Sequence, residues 1–286
     1  MISQLTGACV RAILVIFLIA TPSLVLPGMG PGVTQIVALI AIFLGGFVFS
    51  EYASTYPGLI EFRDAAPYNR MRFGMALILV LFISLVILGQ TQPSSITRFA
   101  EALGMLLGLA IDFPFSPLRA LLGALPPDAD PSQVSVVRVI GGLAYLTALI
   151  SLTVFAILIR FRSWPSPSGT FNFWINLPMI DPTAGGDLVN RLRRDARINI
   201  LLGIALPYIL PSLVWSIGAH YGVSILTSEL ALIWTVTLWA FLPATVFMRG
   251  IALMRLSQMI LDKRRRMVAS LEPGEYAQSS VRPELT

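Results

Sequence analysis

The sequence contains very few of the residues from which proteins build cross-links and metal centres. Its 286 residues include one cysteine, Cys9, and one histidine, His220. A single cysteine excludes an intramolecular disulfide framework, an iron–sulfur cluster and a cysteine-based zinc site. A single histidine likewise excludes a bis-histidine haem and a multi-histidine metal centre within one chain. We therefore expect neither a cofactor nor a bound metal ion.

Charged residues are also scarce. They make up 12% of the chain, whereas 56% of it is hydrophobic and the mean hydropathy is +0.78. Because a soluble protein carries about 25% charged residues, this chain has too little polar surface for water. Its apolar stretches have the length of about 17 to 25 residues that crosses a bilayer, which predicts an all-α integral membrane protein. The six predicted transmembrane helices are residues 10–27, 33–52, 73–89, 134–159, 198–219 and 225–248.

The positive charges predict how these six spans are oriented. Lysine and arginine near span ends accumulate on the cytoplasmic side of a membrane. Of the 20 lysine and arginine residues, only Arg98, Arg119 and Arg138 fall in the segments that share one face; the others fall on the opposite face. We therefore expect a bacterial inner-membrane protein with both termini in the cytoplasm. The same retention of positive charge explains the pI of 9.8, so we expect no nucleic-acid partner.

Residues 99–125 do not fit the pattern of the other apolar segments. Asp112, Pro114 and Pro117 divide them into two apolar halves that are each too short to cross the bilayer. This pattern predicts a re-entrant or interfacial helical hairpin on the outer side. The alternative is a seventh span, which would move an arginine-rich loop to the outer face.

The first apolar stretch could be a signal peptide instead of a span. No small-residue cleavage motif follows Ala20, so we expect an uncleaved span.

The loop between the second and third predicted spans alternates aromatic and charged side chains. Tyrosine and arginine are enriched at energetically important interface positions, so this loop could be a docking epitope for a partner. Alternatively, its aromatic rings lie at the level of the lipid headgroups and its arginines hold the topology. The predicted contact residues are Tyr52, Tyr56, Phe62, Arg63, Tyr68, Arg70 and Arg72.

The longest predicted cytoplasmic loop ends in a basic helix. Asp187 can cap it, and the helical spacing predicts that Leu188, Val189, Leu192 and Ile198 face the lipid while its arginines reach lipid phosphates. An interfacial helix that anchors the loop is the expected structure, and the alternative is a site for a partner or a nucleotide. The predicted contact residues are Arg191, Arg193, Arg194 and Arg197.

The chain after the last span is predicted to continue as an amphipathic helix. This helix, residues 249–266, has an apolar surface beside a basic cluster, which is typical of helices that lie on the inner leaflet or pack on a partner. Lys263, Arg264, Arg265 and Arg266 are its predicted contacts. Residues 272–286 are polar and are predicted to form a disordered tail, so the membrane domain is residues 1–271.

Small residues with a spacing of four occur at two places in the apolar segments. Ala41 and Gly45 form one pair in the second predicted span, and Gly104 and Gly108 form another in the predicted hairpin. Such spacing lets two helices approach closely. Both pairs therefore predict helix–helix contacts.

The residues inside the predicted spans favour a protein that is not an enzyme. Ionisable residues deep in a membrane persist mostly for ion or proton work, and the central parts of the predicted spans hold only mildly polar side chains. The leading hypothesis is an accessory, assembly or scaffold factor for another membrane complex. Its expected partners are anionic lipids of the inner leaflet and another integral membrane protein.

Two other functions remain open. The first alternative is a transporter or permease subunit for a small apolar or neutral solute, because Pro207 and Pro211 free backbone carbonyls that a solute could use. The second alternative is a lipid-modifying membrane enzyme. Its candidate groups at the cytoplasmic face would be Asp181, Asp187 and Asp195.

Overall fold

The protein is all-helical in the part of the chain that the structure describes. The computed structural model describes residues 2–161, 164–165, 171–181, 183, 186–221, 226 and 228–279. Helix accounts for 81% of the chain and no strand occurs among these residues, which confirms the predicted fold class. The helices are α1 (Ile2–Val25), α2 (Pro31–Ala53), α3 (Tyr68–Thr91), α4 (Ser95–Ile111), α5 (Pro117–Leu122), α6 (Pro131–Phe161), α7 (Phe173–Asn176), α8 (Leu188–Tyr221) and α9 (Glu229–Ser279).

Six of the helices are long and apolar enough to span a membrane, which confirms the predicted number. The candidate spans are Gln4–Val25, Pro31–Ala53, Tyr68–Thr91, Pro131–Phe161, Leu188–Tyr221 and Glu229–Ala269. The fifth has 34 residues, or about 50 Å at about 1.5 Å per residue, and so exceeds the hydrocarbon thickness. This helix, α8, combines the predicted basic helix with the fifth predicted span, because no residue between them ends the helix.

The centre of the bundle is formed by α3, α6 and α9, and its periphery by α1, α2 and α8. The central helices bury the largest share of their apolar segments, and α8 buries the smallest. Core residues such as Met75, Ile140 and Ile233 lie on the three central helices. At the periphery, an ideal Cβ on Gly45 would lie 2.6 Å from Ile16 Cγ1. The small-residue face predicted on α2 is thus its contact with α1.

The segment between α3 and α6 forms two helices, α4 and α5, that pack against α6. Ser94 and Thr97 form a capping box at the start of α4, and Ser116 caps α5. An ideal Cβ on Gly142 would lie 2.5 Å from the backbone nitrogen of Gly108. This contact confirms that the predicted glycine pair of α4 allows a close helix–helix approach. The depth of α4 and α5 in the bilayer stays a prediction.

The beginning of α8 packs along the later part of α9 and not on lipid. Val189 and Leu192, predicted to face lipid, are 1% and 0% exposed, and Leu188 is partly buried against the same core. The prediction was wrong for these residues because helical spacing identifies an apolar face without identifying what covers it. Ile198 is 47% exposed, which agrees with the predicted lipid contact.

The predicted amphipathic helix, residues 249–266, continues α9 without a break. Its apolar face is covered by the protein itself, since Ala252, Leu253 and Leu256 are fully buried, and Gly250 lies against the backbone of α8. Helix α9 extends through Ser279 into the segment that composition predicts to be disordered. The rest of that predicted tail, residues 280–286, lies outside the described residues.

Candidate functional site: an interlocked loop layer

Residues 54–67, 164–165 and 171–181 fold together at the arginine-rich end of the bundle, and we name them the loop layer. Its first part is shaped by Glu51 in the last turn of α2. The Glu51 carboxylate accepts hydrogen bonds from the backbone N–H groups of residues 58–60 at 2.9–3.2 Å. Three donors on one carboxylate fix the backbone of the turn that follows α2.

The end of α2 is held by side chains from two other segments. The Arg63 guanidinium donates to the carbonyls of Ser54 at 2.7 Å and Glu51 at 3.3 Å. From α1, the Gln4 side-chain amide donates to the carbonyls of residues 52–54 at 3.3–3.4 Å. These bonds satisfy carbonyls that a helix leaves unpaired at its last turn. Arg63, a predicted partner contact, is therefore part of the fold, with 7% of its side chain exposed.

Aromatic rings join the two parts of the loop layer. Phe62, which adopts a φ of 52°, packs against Tyr68 at 4.5 Å and Trp164 at 5.6 Å between ring centroids. The Trp164 indole donates to the Ala65 carbonyl at 3.3 Å. Phe62 and Tyr68 are 1% and 2% exposed. Both were predicted to contact a partner or lipid, and the structure places them inside the protein.

Asn176, at the end of α7, ties the second part of the loop layer to the first. Its backbone carbonyl accepts from the Phe62 N–H at 2.6 Å, and its side-chain oxygen accepts from the Asp64 N–H at 3.0 Å. Its own amide donates to the Asn172 carbonyl at 3.0 Å. Asn176 is buried, so its polar atoms are satisfied inside the protein, as buried amides require.

A buried ion pair fastens the loop layer to α9. The Arg249 guanidinium donates two hydrogen bonds to the Glu61 carboxylate, from Nε to Oε2 at 2.6 Å and from Nη2 to Oε1 at 2.7 Å. The side chains are 25% and 10% exposed, respectively. This fork geometry is the strongest arrangement of a guanidinium and a carboxylate. Neither residue was among the predicted site residues, because pairing between residues so distant in sequence leaves no local pattern.

The remaining predicted contact residues divide into exposed and partly buried groups. Tyr56 is 68% exposed. The other exposed ones are Arg70, Arg194, Arg197, Lys263, Arg264, Arg265 and Arg266. The partly buried ones are Tyr52, Arg63, Arg72, Arg191 and Arg193. A partner or a lipid surface therefore has access chiefly to the basic side chains of α8 and α9 and to Tyr56 and Arg70.

The three aspartates considered as catalytic candidates have separate local roles. Asp181 accepts from the Thr183 N–H at 2.7 Å and from its hydroxyl at 2.6 Å. Asp187, which precedes α8, accepts from Arg264 of α9 at 2.9 Å. Asp195 lies 3.5 Å from Arg194. Each of these three carboxylates therefore contacts a different set of residues.

Acidification is expected to remove what the Asp187–Arg264 pair contributes to stability. The hydrogen bond from Arg264 lowers the pKa of Asp187 below its ordinary value. A carboxyl whose pKa is lower in the folded state stabilises the fold above the unfolded-state pKa and loses this effect as pH falls through the folded-state pKa. The difference in thermal midpoint between the wild type and Asp187→Asn should stay constant from about pH 7 to about pH 5 and shrink below about pH 4. A difference that grows with acid would contradict this.

A pocket lies among the central and peripheral helices, apart from the loop layer. It has a volume of about 190 Å³ and lies between α5, α6, α8 and α9, with Tyr145, Pro207 and Pro243 in its lining. Pro211 has no N–H to donate to the Pro207 carbonyl four residues before it. The Trp239 indole donates to this carbonyl instead, at 2.8 Å. The predicted free carbonyl of Pro207 is therefore already occupied by a donor from α9.

Replacing Trp239 with phenylalanine is expected to destabilise the protein by about 1 kcal/mol, because the Pro207 carbonyl loses its donor. In a Pro211→Ala background, the new backbone N–H can serve this carbonyl, so the same replacement should cost less. The free energy of unfolding in detergent micelles measures both effects. Trp215→Phe is the matched control, since Trp215 is 54% exposed. Equal losses for Trp239→Phe in both backgrounds would contradict the assigned hydrogen bond.

The described residues contain no group of three or more histidine, cysteine, aspartate or glutamate side chains arranged to hold a metal ion. Comparisons of the chain found no matching family model, no similar curated protein and no similar solved structure.

Proposed function

We propose that the chain is a non-catalytic integral protein of the bacterial inner membrane that serves as an accessory, assembly or scaffold factor for another membrane complex. The loop layer is the observation that carries this proposal. Two loops are interlocked through Asn176 and the Phe62 ring and are fastened to α9 by Glu61 and Arg249. A preformed surface of this kind costs little ordering entropy when a partner binds.

The proposed orientation places the loop layer in the cytoplasm. Two of the three basic residues on the opposite face are paired with one carboxylate: Arg119 and Arg138 donate to Asp112 at 2.6 and 3.0 Å. The exposed arginines of α8 and α9 lie at the other end. Positive-inside retention depends on the number of lysine and arginine residues near the span ends, and this number supports the proposed orientation. In this orientation α4 and α5 are the predicted outer hairpin.

The surfaces of the peripheral helices supply the membrane part of the proposed interaction. Phe43 of α2 is 72% exposed and Trp215 of α8 is 54% exposed. Lipid or a second integral membrane protein can cover such rings, and the exposed basic residues of α8 and α9 attract anionic headgroups by about 1 kcal/mol per residue. We infer that a partner contacts both the loop layer and one of these faces.

Co-purification tests the proposal. Tagged protein is crosslinked in cells, solubilised in mild detergent, and the recovered chains are identified. We expect the wild type to recover a reproducible set of membrane proteins. The Tyr56→Ala/Arg70→Gln variant, which alters an exposed residue of the loop layer and one at the start of α3, should not recover this set. Phe115→Ala, which alters a residue that is 92% exposed between α4 and α5, is the matched control and should retain the set. Recovery of the wild type alone, or only as a self-oligomer, would contradict an accessory role.

The pocket between α5, α6, α8 and α9 favours a transporter subunit as the second candidate. Its lining of aliphatic and aromatic residues suits a small apolar or neutral solute. Liposomes containing the purified protein would then release such a solute faster than empty liposomes. Narrowing the pocket with Ala148→Leu should lower this flux, while Ile42→Leu on the exposed face of α2 should not. Equal leakage from protein-containing and empty liposomes would remove the transporter hypothesis.

A further inference from the structure

A polar pocket opens between the start of α1, the end of α2 and the loop layer. Its volume is about 470 Å³, within the range of about 300–1,000 Å³ that small-ligand sites occupy. The side chains of Gln4, Arg11, Tyr52, Thr55 and Arg63 line it. It lies at the end of two candidate spans, at the arginine-rich end of the bundle, and is separate from the apolar pocket between α5, α6, α8 and α9.

Two guanidinium groups, those of Arg11 and Arg63, line this pocket. The Arg11 guanidinium lies over the Tyr52 ring, 4.5 Å from its centroid, and donates to the Gly7 carbonyl at 2.7 Å. The Arg11 guanidinium thus keeps N–H groups that its bond to Gly7 does not use.

One carboxylate, that of Asp64, lines the pocket beside the two guanidinium groups. Asp64 lies 3.5 Å from Arg63, and 59% of its side chain is exposed to solvent. The Glu51 carboxylate, which accepts from backbone N–H groups of the neighbouring turn, does not line the pocket. None of the ion pairs formed by the described residues includes Arg11. The lining therefore carries two positive charges and one negative charge, and Arg11 is the guanidinium without a carboxylate partner.

We propose that this pocket binds a phosphate ester, and that the headgroup of an anionic membrane lipid supplies it. Guanidinium groups bind phosphate oxygens through paired, charge-assisted hydrogen bonds. Arg11 provides such donors, and the hydroxyl groups of Tyr52 and Thr55 add neutral ones. Arg63 adds positive charge to the lining, while its guanidinium donates to backbone carbonyls of the fold. The position of the pocket at the ends of α1 and α2 lets the acyl chains of a bound lipid run along the exposed apolar faces of these two helices.

Lipid retention by the full-length protein tests the proposal. Protein in nanodiscs of phosphatidylcholine with a minor fraction of phosphatidylglycerol is released into native mass spectrometry, and the bound lipids are counted. We expect the wild type to retain one phosphatidylglycerol per chain, and Arg11→Gln to lower its affinity about tenfold, as for the loss of one charge-assisted hydrogen bond. Arg265→Gln is the matched control; this residue is exposed on α9, and we expect a change of less than about twofold.

A second variant and a second ligand make each outcome decisive. Tyr52→Phe keeps the ring beneath Arg11 and removes only the hydroxyl, so it should fold like the wild type and lower phosphatidylglycerol affinity by about threefold. Thermal unfolding of delipidated protein with inorganic phosphate or glycerol 3-phosphate tests soluble ligands. A midpoint shift with these ligands, lost in Arg11→Gln, together with no lipid retention would support the phosphate site and overturn the lipid as its source. Equal lipid affinities for Arg11→Gln and Arg265→Gln would show diffuse attraction and overturn the pocket.

Discussion

Replacing Arg249 with methionine is expected to destabilise the protein by about 3–5 kcal/mol, because removal of one partner leaves a buried charge uncompensated. The remaining Glu61 is 8% exposed and would lose both hydrogen bonds from the guanidinium. Its carboxylate must then stay poorly solvated or take up a proton. The free energy of unfolding in detergent micelles, from denaturant titration, measures the loss.

The second partner of the pair provides the control. Glu61→Gln alone should also destabilise, but the double variant Glu61→Gln/Arg249→Met should be more stable than Arg249→Met, because it removes the unpaired charge. Arg197→Met changes an exposed arginine of α8 and should cost no more than about 0.5 kcal/mol. An Arg249→Met variant as stable as Arg197→Met would show that the ion pair does not hold the loop layer to α9.

Replacing Gly142 with alanine is expected to destabilise the protein by about 1–3 kcal/mol, the usual cost of overpacking. An ideal Cβ at this position would lie 2.5 Å from the backbone nitrogen of Gly108 and 2.9 Å from the Gly104 carbonyl oxygen. Both neighbours are backbone atoms, so relief requires that α4 move away from α6. Thermal unfolding of the purified variant measures the effect, and crosslinking between cysteines placed on α4 and α6 reports the separation.

Two other helical glycines separate crowding from intrinsic helix propensity. Gly46 in α2 and Gly74 in α3 have no atom within 4 Å of an ideal Cβ. Alanine there should leave stability unchanged or raise it by about 0.5–1 kcal/mol, because glycine is the poorer helix former. If Gly142→Ala behaved like Gly46→Ala, the close approach of α4 to α6 would be absent in the protein.

Local sequence features were sufficient to predict the six long helices and the two helices between α3 and α6, but not the short helix α7. The number of spans depends only on the length and polarity of each apolar segment, and the two helices between α3 and α6 follow from Asp112, Pro114 and Pro117 between apolar halves. The glycine pair of α4 was also informative, because close packing needs small residues at that spacing. The bounds of α8 and α9 were less predictable, because a change from apolar to charged residues marks where a span leaves the bilayer but does not mark where the helix ends.

Long-range contacts within the loop layer were not predictable from one sequence. Glu61 and Arg249 are 188 residues apart, and each alone resembles any charged residue near a span end. Phe62 and Tyr68 are aromatic residues of the kind found in interfacial loops. Only the fold shows that the Phe62 ring meets Trp164 and that the Tyr68 ring meets Phe155. Similarly, Pro211 predicts an unpaired carbonyl at Pro207, but not that Trp239 supplies the donor.

The orientation of the chain is the claim on which the proposed function and the proposed lipid site both depend. Thiol labelling of spheroplasts tests it most directly, with a Cys9→Ser background and single cysteines introduced by Asp128→Cys, between α5 and α6, or Tyr56→Cys, in the loop layer; both positions are exposed. With a membrane-impermeant maleimide, we expect the Asp128→Cys variant to be labelled in intact spheroplasts and the Tyr56→Cys variant only after lysis. Labelling of the Tyr56→Cys variant from outside, with protection of the Asp128→Cys variant until lysis, would contradict the cytoplasmic placement of the loop layer.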